Sequence, residues 1–211
     1  MEVLRSELAT KQRAIESRLA EFRDVGRAAD DRIFEELCFA LLAIQSSARS
    51  SDAAVQSLAR EGLLWTGGPE EIARALRHRT RFHNHKAAYI VRARDRFFPP
   101  EGPALKAALD RFADPKAARA WLVAEVDGLG LKEASHFLRN IGRGEDLAIL
   151  DRHILRNLLR HRVIGRMPKS LTPKRYLVIE ERMEAFSEAV GISLGALDLL
   201  WWSRQTGEIF K

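Results

Sequence analysis

Cysteine is nearly absent: Cys38 is the only one in 211 residues. A single thiol excludes an intrachain disulfide framework, a cysteine-rich zinc site and a four-cysteine iron–sulfur cluster. Cys38 lies in the apolar run Leu37-Cys38-Phe39-Ala40-Leu41-Leu42, which suits a small buried hydrophobe better than a nucleophile. Long hydrophobic runs are missing as well. No segment approaches the ~20 apolar residues of a membrane span, and the opening stretch MEVLRSELATKQRAIESRLA is charged throughout, unlike a signal peptide. The expectation is a soluble, cytoplasmic protein that contacts no membrane. Alternating strand patterns, repeats of solenoid period and low-complexity tracts are also lacking.

What remains is helical. Hydrophobic residues make up 46% of the chain and charged ones 30%, enough to bury a core. Val3, Leu4, Leu8, Ile15, Leu19 and Phe22 recur at helical spacing and predict an amphipathic first helix. Gly26 and Ala29-Asp30-Asp31 are expected to break it, with Asp30 or Asp31 capping the next helix. Residues 33–44 are apolar nearly all round, as in a central buried helix. Gly67-Gly68-Pro69 marks a turn, with Pro69 placed to begin a helix. A basic helix at 83–97 stops before Pro99-Pro100. Further helices are expected at 51–60, 69–77, 103–111, 115–125, 131–141, 150–161, 173–190 and 194–204. The predicted fold class is all-α, with about ten short helices.

The 35 basic residues against 29 acids leave a net charge of +6, which favours an anionic partner. The excess is concentrated. From Ile72 to Arg96 eight Lys or Arg face the single acid Asp95; from Arg139 to Arg175 ten face Glu145, Asp146 and Asp151. Two basic patches on a helical protein fit a phosphate-backbone footprint. Solvated arginine-rich helix faces are the plainer reading of the same residues.

The informative segment is Val126-Asp127-Gly128-Leu129-Gly130-Leu131-Lys132-Glu133-Ala134. A helix enters a turn with glycines at i and i+2, and a second helix leaves it. Gly128 and Gly130 admit backbone angles closed to other residues and let the backbone approach a ligand. The unpaired amides of the outgoing helix lie at the positive end of its dipole, so the turn suits a DNA phosphate without reading sequence. A tight structural turn has the same pattern. Leu131, Ala134, Leu138 and Ile141 form one stripe of the second helix, while Lys132, His136 and Arg139 fall on another face. Lys132 stands in the first turn, where the dipole and partial burial favour the neutral amine that Schiff-base chemistry needs. A phosphate contact is its alternative role. Nineteen residues on, Leu147-Ala148-Ile149-Leu150 lead into Asp151, which opens a helix bearing Arg152, Arg156 and Arg160. Asp151 fits an N-cap, a catalytic carboxylate, or both.

Gly128-Leu129-Gly130-Leu131-Lys132 followed by Asp151 resembles the helix–hairpin–helix DNA glycosylase superfamily. More narrowly, KEASHFLRNIG at 132–142, LAILDRHILR at 147–156 and the ending WWSRQTGEIFK are similar to the archaeal-type 8-oxoguanine DNA glycosylase/AP lyases. These enzymes lack the iron–sulfur cluster of the endonuclease III branch, in keeping with one cysteine. Asp127 departs from the proline that many superfamily members carry before the first hairpin glycine.

The resemblance implies a bifunctional DNA repair enzyme with no metal and no other cofactor. Lys132 would attack C1′ of the damaged nucleotide, expel the base and form a Schiff base with the sugar. Asp151 would stabilise the developing positive charge and help deprotonate Lys132, and β-elimination would then cut the strand 3′ to the lesion. His153 matches a position that meets a DNA phosphate in related enzymes, or is a solvated helix residue. The C-terminal tail would close over the extruded base, with Lys211, Trp201 and Trp202 in base recognition, although such a tryptophan pair also suits a core.

Extruding a base leaves a gap in the stack to be filled. Gln45 either fills it or caps its own helix; Phe82, beside Arg81 in a basic turn, either inserts between bases or joins the core. His83-Asn84-His85 spells a nuclease motif, but the strands that motif requires are missing. The expected architecture is two helical lobes with the active cleft between them: 31–145, containing the helix–hairpin–helix at about 115–141, and 1–30 with 146–211. The expected partner is double-stranded DNA carrying oxidised guanine, and the expected state a monomer. A same-fold glycosylase/lyase for another oxidised base, or a non-catalytic DNA-binding module, are the alternatives.

Overall fold

The computed structural model describes residues 2–211 of the protein; the side chains of Glu2 and Val3 lie outside the described residues. Among the described residues the chain forms twelve helices and no strand, so the all-α expectation holds. In order they are α1 (Glu2–Arg27), α2 (Asp30–Ala43), α3 (Ala48–Arg60), α4 (Leu63–Thr66), α5 (Pro69–Leu76) and α6 (His83–Phe97). There follow α7 (Leu105–Asp110), α8 (Pro115–Glu125), α9 (Leu131–Asn140), α10 (Arg152–Arg160), α11 (Pro173–Val190) and α12 (Leu194–Thr206). Periodicity does not announce α4, because a single turn between Gly62 and Gly67 is too short to show a period.

Local chemistry explains the boundaries. Pro69, Pro115 and Pro173 each open a helix at a position where no amide is needed. The side chains of Ser47, Asp114, Asp151, Thr172 and Ser193 accept first-turn amides, contributing about 1 kcal/mol apiece. Two expectations at the first boundary need correction. Gly26 does not break α1, which runs through it. A Cβ there would stand 2.1 Å from the Ile141 carbonyl oxygen, so the glycine serves a close helix approach. Neither Asp30 nor Asp31 caps α2, whose N-cap is Ala29. Asp30 instead accepts the Lys106 amide at 2.8 Å, while the Lys106 ammonium donates to the carbonyls of Arg27 and Ala28.

The chain divides into two compact units, Arg27–Phe137 and Met1–Gly26 with Leu138–Lys211. The second division falls within α9 rather than after it. The end of α9 packs with α1, where the Arg139 guanidinium lies 4.8 Å from the Phe22 ring centre. In the Arg27–Phe137 unit, α2 is the core helix, buried from Ile33 to Ala43 apart from Glu35 and packed on α3, α6 and α7. Each buried Ile, Leu or Phe side chain among them contributes roughly 1.5–3 kcal/mol. Cys38 is fully enclosed, and burial pushes its thiol pKa well up, so it is a core residue. In the other unit, α10 and α11 pack on α12, whose Leu197, Leu200 and Trp201 are buried. No helix among the described residues is long and apolar enough to cross a membrane.

Candidate active site

The hairpin forms where the glycine spacing places it. Asp114 caps α8, accepting the amides of Lys116 and Ala117 at 2.9 and 3.2 Å. After α8 the chain turns through Asp127-Gly128-Leu129-Gly130, with Leu129 buried as the anchor. Gly128 has φ 89°, and a Cβ on it would lie 2.4 Å from the Tyr89 ring of α6. Both conditions strain any side chain placed there. Asp127 supplies a different restraint from proline: its carboxylate pairs with Arg92 at 2.6 Å, and Arg92 lies over Tyr89. The turn thereby hangs on α6. The amides of the first turn of α9 have no intrahelical acceptor, which suits an anion.

Lys132 is the second residue of α9. Its side chain keeps about 25% of its surface open, with Nζ 3.8 Å from Glu133 Oε1. The other two members of its expected face differ. His136 and Arg139 are buried, His136 edge-on to Phe39 at 5.4 Å and Arg139 paired with Asp198 at 3.2 Å. The face is therefore not a basic stripe; Lys132 alone of the three is open.

Asp151 belongs to the other unit, where the buried segment 147–150 delivers it to the start of α10. Two α11 side chains clamp that segment. Tyr176 donates its hydroxyl to the Ala148 carbonyl at 2.5 Å and accepts the Leu150 amide at 3.3 Å; Glu180 accepts the Ala148 amide at 3.0 Å. Asp151 Oδ1 accepts the amides of His153 and Ile154, both at 2.7 Å, and Oδ2 accepts the Trp202 indole N–H at 3.2 Å. The Trp202 ring also meets His153, with centres 5.4 Å apart. Asp151, His153 and Trp202 thus form one cluster. Trp201 faces inward: it is 1% exposed and stacked on His161 at 5.6 Å. Lys211 lies partly buried beyond Gly207, the left-handed end of α12.

Gln45 and Phe82 share an unusual backbone. Both are non-glycine residues in the left-handed region, φ 51° and 56°. Gln45 is exposed in the turn after α2 and makes no side-chain hydrogen bond to any described residue, so it does not cap its helix. Phe82 is 50% exposed under the Arg81 guanidinium, so it is not core. His83, Asn84 and His85 are the first turn of α6, and no cluster able to hold a metal occurs among the described residues. Sequence reasoning missed Tyr89, Tyr176 and Glu180, because the segments they hold, at Gly128 and at Ala148 to Leu150, are 26 to 39 residues away and leave no local pattern.

Comparison with known proteins places this geometry. The profile of the 8-oxoguanine DNA glycosylase family matches residues 15–192. An 8-oxoguanine DNA glycosylase/AP lyase of Fusobacterium nucleatum is 40% identical over 195 residues, covering 92% of this chain and 89% of that one. One from Methanocaldococcus jannaschii is 38% identical, covering 93% and 91%. The crystal structure of the 8-oxoguanine DNA glycosylase of Thermotoga maritima superposes with a TM-score of 0.86 at 35% identity, over 100% and 99% of the two chains. The Methanocaldococcus jannaschii 8-oxoguanine glycosylase/lyase in complex with a 15mer DNA containing 8-oxoguanine gives 0.87 at 33% identity, over the whole of both chains. A match of this extent in sequence and in fold means that the chain belongs to the 8-oxoguanine DNA glycosylase family.

Proposed function

We propose that the chain is a bifunctional DNA repair glycosylase and AP lyase that removes 8-oxoguanine from double-stranded DNA. The observation that carries the reading is Lys132: in a chain of this family, a partly open lysine follows the Gly128–Gly130 turn in the first turn of α9. Its neutral amine attacks C1′ as the C1′–N9 bond breaks, and the base leaves with the bonding electrons and takes up a proton. Opening of the sugar ring gives a Schiff base between Nζ and C1′. Loss of a C2′ proton then expels the 3′ phosphate, cutting the strand 3′ to the lesion.

Asp151 stabilises the positive charge that develops on the sugar and helps deprotonate Lys132. Its fixed orientation, from two amides and one indole, supports that role. Trp202 and Lys211 recognise the extruded base. Gly128 and Gly130 hold a phosphate through the hairpin amides, His153 contacts another, and Gln45, Arg81 and Phe82 enter the gap in the stack. The enzyme works as a cytoplasmic monomer at the nucleoid and draws on no metal or organic cofactor.

Incubation with an end-labelled duplex containing one 8-oxoguanine tests the reading. Release of free 8-oxoguanine, with a nick 3′ to the lesion and none in the unmodified duplex, is expected. Tight binding of both duplexes without release or nicking would make the chain a DNA-binding module instead. Release of an oxidised pyrimidine in preference to 8-oxoguanine would move it to another lesion.

A further inference from the structure

A buried cation joins the two turns that carry Gln45 and Phe82. Lys86, in α6, is 2% exposed. Its ammonium, with three N–H groups to donate, lies within hydrogen-bond distance of four acceptors: the carbonyls of Leu42 and Ile44 at 2.8 and 2.7 Å, Thr80 Oγ1 at 2.6 Å and Ser46 Oγ at 3.2 Å. The first two acceptors lie at the end of α2, where carbonyls lack helical partners and the dipole is negative. The two hydroxyls also meet each other at 2.8 Å, and the Arg81 amide donates to Ser46 Oγ at 3.3 Å. The Lys86 amide donates to the Phe82 carbonyl at 3.1 Å, and Ser50 donates to the Arg79 carbonyl at 2.5 Å. Gln45 thus sits between two residues that Lys86 holds, and Phe82 lies two residues from a third.

Burying a cation carries a desolvation cost that an apolar residue at the same place would not. Here that cost, with the nearby Arg81 charge, lowers the ammonium pKa to about 8. Both exposed turn residues occupy left-handed conformations that persist only when their surroundings over-determine them. The cation and its acceptors lie on either side of Gln45 and two residues from Phe82.

We propose that Lys86 is a positioning residue for duplex engagement, locking the Gln45 turn and the Arg81-Phe82 turn into one rigid prong that enters the base stack as a unit. It takes no part in the chemistry at Lys132. The inference rests on the reading of the chain as a glycosylase that extrudes a base from paired DNA.

The test uses the full chain with two substrates. One is an 8-oxoguanine duplex with 2-aminopurine beside the lesion, whose fluorescence reports unstacking. The other is a single-stranded oligonucleotide with an abasic site, which offers nothing to extrude. Lys86→Met is expected to lower duplex cleavage and the fluorescence rise about tenfold, as loss of a buried charged donor does. Borohydride trapping on the single strand should stay within about twofold of wild type, because no stack is entered there. Thr80→Val cuts one link while Lys86 remains on α2; it should show the same duplex-specific loss to a smaller degree, and it carries the test if Lys86→Met does not fold. Equal losses on both substrates, or no duplex loss, would overturn the inference alone. Absence of trapping by the wild type would overturn the reading of Lys132 and this inference with it.

Discussion

Asp151 assigns its two carboxylate oxygens to different partners: Oδ1 takes two backbone amides at the start of α10, and Oδ2 takes the Trp202 indole. Capping and chemistry can therefore be separated by a single substitution. Asparagine caps a helix as well as aspartate does but brings no charge to an oxocarbenium-like sugar. Asp151→Asn should keep the wild-type melting temperature within a few degrees and lower single-turnover cleavage roughly 100-fold or more. Unchanged cleavage, or a loss of structure in step with the loss of rate, would show that Asp151 is only a cap. His161 offers a second test at this scale. Burial, followed by the charges of Arg204 and Arg160, holds its pKa below the usual value. The unfolded chain then binds the proton first, so this contribution to stability is present above about pH 6.5 and is lost as pH falls. His161→Phe retains the stack on Trp201 and should flatten the decline in melting temperature between pH 7.5 and 5.5. A decline as steep as that of wild type would assign the acid sensitivity elsewhere.

At the scale of elements, the hairpin and the α2–α6 pair were legible to different degrees. The Pro115 and Pro173 helix starts and the Asp151 cap depend on neighbours within four residues, and the Gly128-Leu129-Gly130 turn shows in its glycine spacing although Tyr89 and Arg92, 39 and 35 residues away, hold it, so spacing alone exposes them. Gly26, Asp30 and Lys86 answer to partners tens of residues away, Ile141, Lys106 and Leu42, and so carry no local signature. His136 and Arg139 show the limit of periodicity. Helical spacing finds a common face, but burial against Phe39 and Asp198 decides what that face does. The hairpin itself has a sharp test. Gly128→Ala meets both a positive φ and the Tyr89 ring, and should destabilise the protein by about 1–3 kcal/mol in urea unfolding. Adding Tyr89→Ala removes the clash but not the backbone strain, so recovery should be partial. Full stability in Gly128→Ala alone would mean that the turn is not held as described.

For the whole molecule, net charge is a weaker guide than it first looks. Within the two basic segments, Lys86 and Arg94 are committed to backbone carbonyls, Leu42 and Gly67 among them, and Arg139 to Asp198. Part of the excess is thus internal wiring, and the anionic partner is better argued from the hairpin and the family than from the sum. The chemistry proposed for Lys132 makes one claim that nothing else about the fold requires: a covalent bond between Lys132 Nζ and C1′ of the damaged nucleotide. Borohydride reduces such an imine to a stable adduct, so trapping on a duplex containing 8-oxoguanine reads the bond directly. Wild type should form a covalent protein–DNA band, and Lys132→Gln should form none while still binding the duplex. An undiminished band in Lys132→Gln, or none in the wild type, would contradict the account.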